Sequence, residues 1–326
     1  MPGAADIRSF TLETAQSAVT LLNLGCVTQS WVSSLASPER SIVLGYRDPA
    51  AYLTNPQFLG AIVGRVANRI ANARFELDGV GYHLGANAPP HILHGGHDGL
   101  HQRIWDADAD GSRAVQLRLQ SPDGDQGFAG AVDFTVEISL SGNSLTYQMS
   151  AQVDRPTPIN LAQHSYYNLA GSGPIKHHRL HVAADAILNT DAAGIPLGPM
   201  HSLNGQPLDF RTGKTIQAGD PQSHGIDHNY CLTPDTPAPQ ARLSAAGLTL
   251  SLYTDQPGLQ VYTASNLSPV APPLHGQNHR AFTGICLEPQ GYPDALNQPS
   301  YPTIVVTPDR PYSQRLTIAL DQEPLT

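Results

Sequence analysis

The sequence predicts an all-β protein, a large antiparallel β-sandwich, and three observations carry that reading. Apolar and polar residues alternate with period two in several segments, as half-buried strands require. Glycine and proline, 29 and 28 residues, punctuate the chain throughout. Residues that exposed helices need are scarce: charged side chains make up 14% of the chain, with six glutamates and only two lysines, Lys176 and Lys214, against about 25% charged in an average domain. The 326 residues admit two domains or one large β architecture. No βαβ rhythm and no fixed-period repeat is present, so a single domain over 1–326 is expected.

The strands follow in order along the chain. Val115, Leu117 and Leu119 interleave with Gln116, Arg118 and Gln120. Phe134, Val136, Ile138 and Leu140 alternate with polar residues, SGN follows at 141–143, and Leu145, Tyr147, Met149, Ala151 and Val153 resume the pattern, which reads as a β-hairpin. Leu248, Leu250 and Leu252 repeat the signature, as do Leu316, Ile318 and Leu320. One dry and one wet face per strand is the mark of antiparallel sheets. The span 49–58, the one tempting helix, is interrupted by Pro56. TPDTPAPQ (233–240) and SPVAPPLHGQNH (268–279) are too short for domain linkers and read as loops.

A net charge of -9 without any Lys/Arg run excludes the concentrated basic face that nucleic acid or an anionic membrane surface requires. No apolar stretch approaches the ~20 residues of a spanning helix, and MPGAADIRSF lacks the charged-then-apolar order of a signal peptide. A cytoplasmic protein is expected, and a monomer and a homodimer fit equally well. Cys26, Cys231 and Cys286 lie far apart in apolar contexts without CxxC spacing, which predicts reduced, buried thiols.

Polar side chains concentrate in five segments: GRVANRI (64–70), HILHGGHDGLH (91–101), NLAQHSYYNLAG (160–171), GIDHNYCL (225–232) and LEPQGYPDALNQP (287–299). His91, His94, His97 and His101 have helical spacing, but Gly95, Gly96 and Gly99 argue against the helix that would aim them at one ion, so no metal is expected. A turn carrying one useful histidine, or four surface histidines, fits the stretch. His164, with Ser165, Tyr166, Tyr167 and Asn168 beside it to orient it, is either a proton-transfer group or a satisfied structural histidine. Asp227 is a ligand or a turn aspartate, Arg69 a ligand or half of a structural salt bridge, and Asn68 and Gln256 taken singly decide nothing. Glu288 is the one carboxylate between Asp255 and Asp294. TGICL before it reads as a buried strand and Pro289 holds the chain extended, which places Glu288 at a sheet edge or rim. It is there either a solvated strand-end carboxylate or a general base kept ionised by its neighbours.

Taken together and in order, GAIVGRVANRI, LHGG (93–96), SPDGDQGFAG (121–130), NLAQHSYYNLAG, DHNYCL (227–232), TDQPGLQVYT (254–263) and LEPQGYPDALNQP resemble the motifs of the aldose 1-epimerase family, across nearly the whole chain. The resemblance implies a large antiparallel β-sandwich with a sugar site in an open cleft. It also implies a free monosaccharide such as glucose or galactose as substrate, and no cofactor. Residue by residue, it implies Glu288 as catalytic base and His164 as general acid, with Asn68, Arg69, His94, Asp227 and Gln256 binding the sugar. Glu288 would take the proton of the anomeric hydroxyl while His164 gives one to the ring oxygen. The ring opens, the aldehyde rotates and reclosure gives the other anomer. His164 must then carry a proton near neutral pH, and a neighbouring carboxylate is expected to raise its pKa.

Three departures are visible. Proline follows the glutamate where threonine is common, Tyr167 stands where phenylalanine is common, and ASNL (264–267) replaces the usual TGN. The competing readings are a glycosidase pairing Glu288 with Asp227, a non-catalytic carbohydrate-binding sandwich and a sugar-phosphate epimerase. The last lacks a basic cluster for its phosphate.

Overall fold

The period-two segments become the middle of a nine-stranded antiparallel sheet in the computed structural model, which describes residues 3–36, 40–233 and 238–323. Across this sheet the strands run Lys214–Thr215, Arg179–Val182, Ala241–Ala245, Leu248–Thr254, Tyr312–Gln322, Ser144–Val153, Val132–Ser141, Ala114–Ser121 and Asp106–Asp110. The expected hairpin is present. Leu140 pairs with Leu145 and Ser141 with Ser144, and Gly142 supplies the positive φ (58°) that a two-residue turn demands. Residues 234–237 of TPDTPAPQ lie outside the described residues.

A second antiparallel sheet, of six strands, runs Tyr166–Tyr167, Ile285–Gln290, Gly258–Tyr262, Asp227–Leu232, Ala184–Thr190 and Pro196–Ser202. The two sheets share one core. Val136, Ile138, Met149, Leu250, Leu316 and Ile318 of the first pack in one apolar cluster with Tyr230, Leu259, Val261, Ile285 and Leu287 of the second. Each such side chain removed from water contributes about 1.5–3 kcal/mol, which makes this contact the main driving force of the fold. A three-stranded sheet, Ser9–Glu13, Ser17–Leu22 and Thr28–Ser33, adds Leu12, Val19, Leu21 and Trp31 to the same cluster.

Helix is confined to short turns. Pro49–Thr54 forms a 3-10 helix capped by Asp48, whose side chain accepts from the Ala50 N–H, and it ends before Pro56. Ile216–Gly219 makes a single α-helical turn. Among the described residues no helix is long and apolar enough to cross a membrane. All three cysteines are free and buried.

Arg65 fastens the GRVANRI segment to the rest of the molecule. Its guanidinium, 3% exposed, donates to the Ser121 hydroxyl and to the carbonyls of Ser121, Pro122, Ala129 and Gly130. Those acceptors are the end of one core strand and the SPDGDQGFAG turn, which explains why the two motifs go together. Burial pushes the Arg65 pKa down to about 10, and Asp125, Asp123 and Asp154 oppose that shift. Removing the group leaves several buried carbonyls without their donors. We expect Arg65→Ala to lower the unfolding free energy by about 3–5 kcal/mol, read from the urea midpoint at unchanged slope. A loss below about 1 kcal/mol would show the network to be ornamental.

Candidate active site

Strand parity builds the site. In Ile285–Gln290, Gly258–Tyr262 and Asp227–Leu232 the residues facing the shared core are Ile285 and Leu287, Leu259 and Val261, and Tyr230 and Leu232. Because side chains alternate, the opposite face carries Cys286, Glu288 and Gln290, then Gly258, Gln260 and Tyr262, then Asp227, Asn229 and Cys231. Register lines these up: Glu288 pairs with Gln260, and Gln260 with Asn229. One face of the sheet is therefore hydrocarbon and the other almost wholly polar.

That polar face lies under a concavity, with Glu288 and Gln260 buried and Asp227 exposed. A cavity of about 270 Å³ lies over it, lined by Phe58, Asn68, Arg69, His94, His164, Tyr166, Asp227, Gln260, Tyr262 and Glu288 among others. Glu288 is 2% exposed, which corrects the expectation of a rim position. The edge expectation holds in a local sense. The neighbouring strand Tyr166–Tyr167 pairs only with Cys286 and Ile285, so Pro289 sits where that side of the strand has no partner needing its absent N–H.

His164 enters from the turn between Ala162–Gln163 and Tyr166–Tyr167, 4% exposed. Its Nε2 lies 3.7 Å from Glu288 Oε2, and that carboxyl oxygen has no hydrogen-bond partner in the protein. Burial drives both groups toward their neutral forms: it lowers the His164 pKa to about 4 and, with Asp227 adding to it, raises that of Glu288 well above the ordinary carboxylate value. The expectation that a carboxylate raises His164 is thus not met, because the carboxyl that should supply the charge is itself desolvated.

His94 and Asn68 hold each other. The Asn68 N–H donates to His94 Nδ1 (3.1 Å) and the His94 N–H to the Asn68 carbonyl (3.0 Å), with both residues in the left-handed region, φ 51° and 60°. His94 is therefore a neutral imidazole with its hydrogen on Nε2, and burial lowers its pKa well below the usual value. Arg69 lines the cavity without an ion pair among the described residues. Its guanidinium lies 2.9 Å from where a Cβ on Gly194 would stand, and Gly194 has φ +79°. Asp227 accepts from the Gln260 amide at 2.6 Å.

His94, His164 and Glu288 bring ligand-type atoms within 4.8 Å of one another. A metal ion would need a bare nitrogen from each ring. Freeing His94 Nε2 would move its hydrogen to Nδ1, against the Asn68 N–H, so the donor set does not fit a metal. The group is better suited to moving protons and donating hydrogen bonds.

Gln256 is not brought to this cavity. It precedes the Pro257–Gly258 entry to its strand, donates to Asp255 Oδ1 and lines a separate concavity of about 240 Å³ with Asn160 and Tyr312. Gln260 occupies the site instead, 6% exposed and with Oε1 unpaired. Its signal in the sequence is a lone polar residue between Leu259 and Val261. Phe58, in the left-handed region at φ 55°, was equally unmarked. Its ring packs on His94, His101 and His164 at 4.6, 4.8 and 5.7 Å and keeps water from them. The turn at 91–101 thus turns two histidines inward, His94 and His101, and leaves His97 exposed. Of the residues beside His164, Tyr166 faces its ring at 5.2 Å, whereas Tyr167 joins the core and the Asn168 amide is spent on Gly173 and Thr283 carbonyls.

Known proteins share this architecture and sequence. The chain is 37% identical over 321 residues to galactose mutarotase of Rattus norvegicus, covering 95% of this chain and 93% of the relative. It is 36% identical over 318 residues to aldose 1-epimerase of Escherichia coli K12, covering 92% and 91%. A crystal structure of an aldose epimerase homologue from C. elegans superposes with a TM-score of 0.92 at 26% identity, over 97% of this chain and 99% of the other. That of galactose 1-epimerase from Lactobacillus acidophilus gives 0.84 at 26% identity, over 96% and 93%. Residues 8–319 match the family described as aldose 1-epimerase, and with relatives this similar along nearly its whole length, the chain belongs to that family.

Proposed function

We propose that the protein interconverts the α and β anomers of a free aldose, with Glu288 as base and His164 as acid. The observation that carries this reading is the pair itself: a carboxyl and an imidazole 3.7 Å apart, both buried, on the wall of a polar cavity. At about 270 Å³ that cavity falls at the small end of ligand clefts, which run to roughly 300–1,000 Å³, and suits a single monosaccharide. The relatives named galactose mutarotase support a hexose such as galactose or glucose.

The protein's part in the reaction is to move protons. With the cyclic sugar bound, Glu288 as carboxylate takes the proton of the anomeric hydroxyl while His164 as imidazolium gives its Nε2 proton to the ring oxygen. The bond between the anomeric carbon and the ring oxygen breaks, and the aldehyde remains with Glu288 protonated and His164 neutral. Rotation about the bond next to the aldehyde carbon presents its other face, and the reverse transfers close the ring. Asp227 and Gln260 accept and donate to sugar hydroxyls. Arg69, Asn68 and His94 Nε2–H add donors.

The pair holds one proton in both halves of the cycle. Burial favours its neutral distribution, protonated Glu288 with neutral His164, which is the distribution that accompanies the open-chain aldehyde.

Three outcomes follow. Glu288→Gln should bind sugar yet slow the optical-rotation change of freshly dissolved α-galactose or α-glucose by about 10²–10⁴ relative to wild type; an unchanged rate removes Glu288 from the mechanism. Gln260→Ala should raise KM about three- to tenfold while Gln256→Ala leaves it unaltered, and the opposite order would restore Gln256 to the site. The pH profile of kcat/KM should be bell-shaped. Below about 4, where His164 gains a second proton for the pair, no base remains. Above the raised value of Glu288 the pair loses its last proton and no acid remains. Polarimetry corrected for the buffer reaction reads both limbs, and a single acid limb at the ordinary carboxylate value, with no alkaline limb, would refute a shared proton.

A further inference from the structure

The polar face of the six-stranded sheet continues past the sugar cavity, and two of its amides are only half used there. Asn229 on Asp227–Leu232 and Gln260 on Gly258–Tyr262 stand opposite each other. Their side chains are therefore neighbours on one face, with Cβ atoms about 4.5–5.5 Å apart. Both residues are buried, 2% and 6% exposed. Gln260 Nε2 donates to Asp227 Oδ1 at 2.6 Å and Asn229 Nδ2 to the Tyr230 carbonyl at 3.4 Å. Each acceptor is a carboxylate or carbonyl oxygen, so turning either amide over would set oxygen against oxygen. That fixes both orientations and leaves two amide oxygens, Asn229 Oδ1 and Gln260 Oε1, with no donor in the protein.

Gly258 gives the Asn229 amide its place. A Cβ there would come within 2.7 Å of Oδ1 and 3.1 Å of Nδ2, too close for a side chain, so the amide lies against bare strand. Beside the two amides opens a recess of about 10 Å³, walled also by Asn68, Arg69, Asp227 and Gly194. Gln260, Asp227, Asn68 and Arg69 line the sugar cavity as well. The recess is thus an annexe of that cavity, and Asn229 belongs to the annexe alone. Gln290, also buried and without partners, does not line it.

Size and chemistry together select the occupant. A space of about 10 Å³ is the room of one water. A sugar hydroxyl brings a carbon that does not fit, and has one hydrogen for two acceptors. A metal cation would find two amide oxygens, too few for its shell, with the Arg69 guanidinium beside it. Water has a hydrogen for each oxygen and a lone pair for an N–H of Arg69, which has no ion pair among the described residues. Three hydrogen bonds are what a buried water usually makes.

We propose that one bound water, donating to Asn229 Oδ1 and Gln260 Oε1 and accepting from Arg69, is a built-in part of this site, with Asn229 a positioning residue that acts through it. The water fastens the Gln260 amide on its oxygen side as Asp227 does on its nitrogen side, and it ties both to Arg69. Those three groups are the ones proposed to meet the sugar hydroxyls, so the water sets their spacing. The water site stands on the protein's own atoms; its effect on turnover rests on the proposed anomer interconversion.

A high-resolution crystal structure, with the cavity free and with galactose bound, tests the site directly. It should show in both one water within about 2.6–3.2 Å of the two oxygens and of an Arg69 nitrogen. A recess closed by contact between the amides, a sugar oxygen inside it, or a cation at about 2.3–2.6 Å overturns the proposal. Asn229→Leu, close in volume but without an acceptor, should raise KM about three- to tenfold with kcat within about twofold. Asn229→Ser, which keeps an oxygen and leaves room for the water, should stay within about threefold of the wild-type KM. Because both amides hold the same water, adding Asn229→Leu to Gln260→Ala should raise KM by less than about twofold more. An unchanged KM in Asn229→Leu, or full additivity in the double variant, refutes the positioning role. Circular dichroism identifies the variants that fold, and the crystallographic arm needs none of them. An undiminished Glu288→Gln rate would instead end the proposed reaction while leaving the water in place.

Discussion

A carboxyl group taken out of water without a cation to meet it is the constraint around which this site is arranged. Glu288 is 2% exposed, and an ionised carboxylate in such a place is expensive unless it is paired. The groups around it are neutral apart from Asp227: amides at Gln260, Asn229 and Gln290, imidazoles at His94 and His164, and a thiol at Cys286. Arg69, the cation that lines the cavity, comes from the segment 64–70 rather than from the sheet. The result is a wall whose one mobile charge is a proton shared by two side chains. Such a wall needs a rigid backing, which the hydrocarbon face of the same strands supplies by packing on the nine-stranded sheet.

The two sheets differ in how far their sequence announces them. Val132–Ser141 alternates buried and exposed without a break, because one face meets the core and the other water, and its period-two signal is plain. Ile285–Gln290 is buried at all six positions, so hydropathy has nothing to alternate between. What alternates there is chemistry, with Ile285 and Leu287 against Cys286, Glu288 and Gln290. The same logic separates Gln256 from Gln260. Both belong to TDQPGLQVYT, but Gln256 precedes the turn, whereas Gln260 follows it, on a strand already in register with Glu288. A motif brings both into view, and only parity chooses between them.

Glu288, His164, Asn68, Arg69, His94 and Asp227 were picked out together by the family resemblance, their residue types alone leaving structural readings open, and the fold brings all six to one cavity. Phe58 was not, since a phenylalanine in sequence carries no sign that it will cover three imidazoles. The ionisation of His164 was misjudged for a related reason. A nearby carboxylate raises an imidazole only while it is charged, and whether it stays charged depends on burial, a property of the assembled sheet rather than of neighbours in the chain. ASNL, where the sequence departs from the usual TGN, bends with Ala264 in the left-handed region (φ 52°) and places Asn266 and Leu267 on the cavity. The departure therefore lies in the cavity wall.

The unpaired oxygen of Glu288 also bears on the choice between catalysis and recognition. A module that only binds hydroxyls does best with amides and charged groups already satisfied in its free state, because each buried polar atom left without a partner costs about 1–3 kcal/mol. Neither Glu288 Oε2 nor Gln260 Oε1 has a partner among the protein's own groups, and the former faces an imidazole just beyond hydrogen-bonding distance. Bringing a hydroxyl between them would complete both, and in doing so would place a proton where either group can hold it. A recognition site gains nothing from that ambiguity over where the proton resides. A site that must give up a proton on one side of a hemiacetal as it takes one from the other depends on it.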